Sequence, residues 1–209
     1  MAKSDIVDLL LVRTGRTEWD DTGRLQGGTD LPLSEGGRSD LAQTLDGNLK
    51  HAGSPAITLV IHAPDEASSQ SARMLSELGG GKLKPGPGLG AMRLGLWEGL
   101  LETELMDRYP TSYRQWRDNP AMVNPPEGET LLDTQLRLVR TLLKATERSA
   151  GKTVAVVLRP LEFGLLRGTL AGRPTTDLWT LIEDGPATER FSVARGSLKN
   201  LIENFKARI

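Results

Sequence analysis

The sequence predicts an α/β domain of the three-layer α/β/α sandwich type, with helices on both faces of a mostly parallel central sheet, and three observations carry that prediction. Short apolar runs at Ile6 to Val12, Ile57 to Ile61 and Thr153 to Val157 have the length and Leu/Val/Ile content of strands buried on both faces. Helical patterns at Ser34 to Leu49, Ala67 to Leu78, Glu98 to Tyr109, Thr130 to Arg148 and Leu161 to Leu170 alternate with them. Each apolar run also passes directly into a loop, the order expected of strand, loop and crossover helix.

The individual elements have local signals. Thr130-Leu-Leu-Asp133 offers a capping hydroxyl with an acid three residues on, and Pro125-Pro126-Glu-Gly128 before it cannot be helical, so a helix starts at Thr130. Gly79-Gly-Gly81 followed by Pro85-Gly-Pro-Gly88 reads as a loop too short to separate two domains. Thr188 to Val193 reads as one more strand and Leu198 to Ala207 as a closing helix. No internal repeat is evident, and 209 residues suit one domain spanning 1–209.

Composition excludes several function classes. A formal net charge of -1 gives no global field for nucleic acid or an anionic membrane, so an anion site must be local. The absence of cysteine removes disulfides, thiolate nucleophiles and Cys-ligated metals, and is compatible with a reducing compartment. With two histidines, His51 and His62, no His-rich metal cluster is available, and neither a metal nor another cofactor is expected. The opening apolar run is interrupted by Asp8, too short for a leader or a membrane span, and a cytoplasmic location is expected.

In open parallel sheets the ligand crevice lies beyond the carboxyl ends of the strands. The residues that follow the strands here are Arg13-Thr14-Gly15, His62-Ala63-Pro64 and Leu158-Arg159-Pro160, so these segments are expected to converge.

Leu11-Val-Arg-Thr-Gly-Arg-Thr-Glu-Trp19, continuing through Gly23-Arg-Leu-Gln-Gly27 and Asp30-Leu-Pro-Leu-Ser34, closely resembles the opening motif of the histidine phosphatase (phosphoglycerate-mutase-like) superfamily. Leu96-Trp-Glu-Gly-Leu100, Pro126-Glu-Gly-Glu-Thr130, Ala63-Pro64 with Gln70-Ser-Ala72, and Val154-Ala-Val-Val157 resemble later family segments in the family order. The resemblance implies a phosphoglycerate-mutase-like fold and a site for phosphoryl transfer or phosphomonoester hydrolysis through a phosphohistidine. Such chemistry requires a neutral imidazole nucleophile, cations around the phosphate oxygens and an acid for the leaving group.

By the same resemblance the required groups are degenerate. The nucleophile position is Thr14, the second histidine is Arg159, a phosphate-clamping arginine is Ala67, and the general acid is Ala91. Asp20 stands where the family has asparagine, and only Arg13 of the core set is kept. The resemblance therefore implies a catalytically inactive member with no catalytic residue among these positions. It would bind a phosphorylated or other anionic small molecule, or a protein partner, in a regulatory or scaffold role.

The candidate anion-binding residues are Arg13, Thr14, Arg24 and Arg159, with internal pairing of Arg159 to Asp20, Asp65 or Glu66 as the competing expectation. The alternative function is a weak phosphomonoesterase in which His62 acts as a displaced nucleophile. Gly15, Gly23 and Gly27 are assigned to loop geometry, and Trp97 and Glu98 to packing and helix-start charge. His51, near the end of the first long helix, has no assigned function. Tyr109-Pro-Thr-Ser-Tyr-Arg-Gln-Trp-Arg117 is either a partner-binding face or a charged lid with packing aromatics.

Overall fold

The computed structural model describes residues 5–49 and 56–208; His51 lies outside them. The chain runs β1 (Ile6–Arg13), α1 (Glu18–Thr22), α2 (Glu35–Leu49), β2 (Ile57–His62), α3 (Glu66–Gly79) and β3 (Lys82–Pro85). It continues through α4 (Glu102–Arg108), α5 (Pro110–Asp118), α6 (Leu131–Ala145), β4 (Thr153–Leu158), α7 (Pro160–Leu170), α8 (Leu178–Glu183), β5 (Thr188–Ala194) and α9 (Arg195–Lys206). The five strands form one sheet in the order β3-β2-β4-β1-β5, parallel except for β5, which runs antiparallel to β1 at one edge.

The alternation of side chains along the inner strands divides the core in two. Leu9 and Leu11 of β1 join Val154 and Val156 of β4 on one face, under apolar residues of α6, α7 and α9. Leu10 and Val12 join Ala155 and Val157 on the other, under Leu41 and Leu45 of α2 and Ala72 and Leu75 of α3. Every residue of β4 is buried, which is why its sequence is apolar without interruption.

Helix starts follow side-chain chemistry. The Thr130 hydroxyl accepts from Asp133 N–H at 3.0 Å, as its spacing predicts. In α1, Thr17 accepts from Asp20 N–H while the Asp20 carboxylate accepts from Thr17 N–H at 2.7 Å, a reciprocal capping box. Gly23 closes this short helix in the left-handed region, φ +71°.

Two expectations need correction. Lys82–Pro85 is a strand rather than loop; it is exposed throughout and pairs only with β2, so it carries neither the apolar run nor the alternation that marks a strand. Lysines and a proline are tolerated there because the outer edge faces water. The helix expected from Glu98 begins at Glu102, because Gly95–Trp97 forms a single 3-10 turn and Glu98 turns back, its Oε1 accepting from Leu94 N–H and Gly28 N–H. Tyr109 to Arg117 is mostly helix α5, and its Trp116, 3% exposed, is an inward-packing aromatic as the second of the two readings expects.

The loop after β1 passes so close to α2 that side chains are excluded. A Cβ on Gly15 would stand 2.6 Å from Gly37 O, and one on Gly37 would overlap the Arg16 backbone. Replacing Gly37 by alanine should therefore lower the unfolding free energy by about 1–3 kcal/mol, as overpacking does, measured by urea denaturation.

Candidate functional site

The parallel register that pairs Arg13 with Leu158 brings the ends of β1 and β4 side by side. Thr14 and Arg159, one residue beyond each strand, are joined by a Thr14 N–H bond to Leu158 O at 2.9 Å. Both side chains are buried, Arg159 at 4% exposure. The Arg159 guanidinium donates from Nη2 to Asp20 Oδ1 at 3.0 Å and Oδ2 at 2.9 Å and to Gln26 Oε1, and its Nη1 lies 3.4 Å from the Thr14 hydroxyl. Gln26 Oε1 also accepts from the fully buried Thr17 hydroxyl at 2.7 Å, and the Gln26 amide donates to Thr29 O.

A buried cation is tolerated only when paired and hydrogen-bonded, and Asp20 supplies the counter-charge. Of the three internal partners the sequence offers Arg159, the structure selects Asp20.

Beside this cluster lies a cavity of about 230 Å³ whose wall includes Arg24, Arg159, Glu162, Trp116 and Trp179. Glu162 sits in the first turn of α7, 1% exposed, with Oε1 accepting from Met92 N–H at 2.6 Å and Oε2 without a hydrogen-bond partner. Burial pushes its pKa up to about 7, against the opposing pull of the Met92 and Glu162 backbone N–H groups and the Arg137 and Arg159 charges. Arg137 is itself held in a bidentate pair with Glu129 and donates to Gly88 O and Gly90 O, which fixes the loop leading to Met92.

The remaining sequence candidates do not converge on one cavity. Arg13 donates to Ile182 O at 2.8 Å, and half-burial lowers its pKa. It lines a separate cavity with Thr14. Arg24 is exposed at the rim and donates to Gly99 O at 2.7 Å. Ala91 shares two cavities with Arg159, whereas Ala67 is fully buried in the packing of α3 on the sheet. His62 is 9% exposed with Nδ1 2.8 Å from Ala63 O, and it lies outside the walls of the cavities that hold Thr14 and Arg159. Among the described residues, no group of three or more His, Cys, Asp or Glu side chains is placed to hold a metal ion, and no helix is long and apolar enough to cross a membrane.

Residues 9–196 match the model of the histidine phosphatase superfamily, branch 1. The chain belongs to that superfamily. Phosphoserine phosphatase 1 of Hydrogenobacter thermophilus is 28% identical over 84% of this chain and 81% of its own length. A relative from Yersinia pestis that carries a phosphoglycerate mutase name is 29% identical, over 81% of this chain and 77% of its own. Among solved structures, Bacillus stearothermophilus YhfR superposes with a TM-score of 0.74 at 25% identity, covering 83% of this chain and 84% of that one.

As a histidine phosphatase superfamily member, the protein has two site residues that sequence reasoning missed. Gln26 lies within the opening motif but carries no charge to draw attention to it. Glu162 left a signal: one carboxylate in the apolar stretch Pro160-Leu-Glu-Phe-Gly-Leu-Leu166, directly after a buried strand. In a helix so apolar on all sides, an acid in the first turn has little solvent to face.

Proposed function

We propose that this protein is a non-catalytic member of the histidine phosphatase superfamily, cytoplasmic, that has kept the fold as a small-ligand binding protein with a regulatory or scaffold role. The observation that carries this reading is the Arg159–Asp20 ion pair at the joined ends of β1 and β4. A guanidinium there neither attacks phosphorus nor shuttles a proton, and among the described residues Thr14 beside it has no base in hydrogen-bond contact to activate its hydroxyl. Arg159 is neutralised by Asp20, which leaves Arg13, in a separate cavity with Thr14, and exposed Arg24, at the rim, as the cations open to a phosphate ester. Ligand binding then moves to the adjacent cavity.

A second reading, a weak phosphomonoesterase, is favoured by the names of the relatives, which are those of a phosphatase and a mutase. Hydrolysis of an aryl phosphate from acidic to neutral pH separates the two, run beside His62→Ala to exclude a contaminating enzyme. The expected result is no turnover above background in either protein. Turnover that disappears in the variant establishes His62 as a displaced nucleophile and overturns the non-catalytic reading.

A further inference from the structure

Helix α8 is poorly equipped to hold itself in place. It has six residues, too few for a helix to be stable alone in water, and only Leu178 among them is buried. Even so, it supplies Trp179 and Ile182 to the wall of the 230 Å³ cavity. Whatever keeps that wall in position acts from neighbouring elements.

Three neighbours do so. On α7, Gly164 and Gly168 clear a seat: a Cβ on Gly164 would overlap the Ile182 side chain, and one on Gly168 would stand 2.8 Å from Leu181 Cδ1. On α5, Trp116 O accepts from Trp179 Nε1 at 2.7 Å, and Arg117 pairs with Glu183 at 2.8 Å. At the far end, carbonyls of the last helical turn lack partners within the helix, and arginines take two of them. Arg167 Nη1 donates to Leu181 O and Arg13 Nη1 to Ile182 O, each at 2.8 Å. Arg167 is neutralised by Glu189, whereas among the described residues no carboxylate forms an ion pair with Arg13.

We infer that Arg13 is a positioning residue for the cavity: from the end of β1 it fixes α8, and with it Trp179 and Ile182, in the shape that a small ligand meets. The inference rests on the ligand-binding reading above and gives Arg13 a role distinct from holding phosphate. Two bonds from one residue make the fixing effective. Its guanidinium holds Ile182 O, while its N–H donates to Ala187 O at 2.9 Å, so the end of α8 and the approach to β5 are both pinned to the rigid end of β1. A charged donor on a carbonyl is among the stronger hydrogen bonds available for this purpose.

The test compares the wild-type chain with Arg13→Met, which keeps an unbranched side chain and loses the donors, and Arg13→Lys, which keeps a charged donor. Amide hydrogen exchange in α8 is expected to be at least about tenfold faster in Arg13→Met, the effect of losing one charge-assisted hydrogen bond. The indole N–H resonance of Trp179 should shift while that of Trp97, in the core, stays in place, and Arg13→Lys should recover part of both changes. Inorganic phosphate at millimolar concentration should leave α8 of the wild type unaltered. Unchanged α8 amides and Trp179 in Arg13→Met, or an equal shift at Trp97, overturns the inference, as does a saturable phosphate response in α8 that disappears in that variant. If Arg13→Met does not fold, the wild type decides: α8 amides that exchange as fast as exposed loops, or that respond saturably to phosphate, overturn it. Aryl phosphate turnover bears on the non-catalytic reading alone, so the two failures are told apart.

Discussion

Replacing Asp20 by alanine should destabilise the protein by about 3–5 kcal/mol, the range expected when one partner of a buried ion pair is removed and the other is left uncompensated. Arg159 is the partner left behind, its side chain only 5% exposed, with Gln26 and Thr14 as its remaining contacts. The same change removes one half of the capping box at the start of α1. Arg159→Met should cost less, because Asp20 is 22% exposed and water can solvate the carboxylate that remains. The double variant Asp20→Ala/Arg159→Met should lose clearly less than the two single losses together, since no stranded charge is left. Urea denaturation of the four proteins checks this; additive losses would mean the pair contributes no coupling.

The second large effect is a stability that falls with pH. The Glu162 pKa is about 7 in the folded protein against an ordinary value of 4.5, so between these values the folded state binds more protons than the unfolded chain. The contribution is fully present below about pH 4.5 and is lost as pH rises through 7, amounting to about 3 kcal/mol. Glu162→Gln should flatten this part of the profile and make the variant the more stable protein at about pH 8, where wild type must bury a charge. Unfolding free energies across the range settle the matter. A wild-type profile unchanged by the substitution would mean that another group carries the dependence.

The architecture was legible because its three central strands are buried on both faces, which leaves unbroken apolar runs in the sequence. β3 was not legible because an exposed edge strand has no buried face to impose a pattern. At the site, the motif resemblance placed Thr14 and Arg159, and the parallel register confirms that they meet. What the sequence left open was the partner of Arg159. Asp20, Asp65 and Glu66 all follow a strand end in sequence, and only folding determines which carboxylate reaches the guanidinium. Glu162 showed in the sequence only as a lone acid in an apolar stretch, a signal of burial that does not say which groups surround the carboxyl.

The double duty of Asp20 has a consequence for anyone redesigning this scaffold. A neutral imidazole installed at position 159 would strand the Asp20 carboxylate next to the very place where a phosphate dianion must sit, so the two positions have to be edited together. The replacement at 20 must still offer an oxygen to the Thr17 N–H, which admits an amide such as asparagine and excludes an aliphatic side chain. Two sites 139 residues apart in the chain thus behave as a single unit of design.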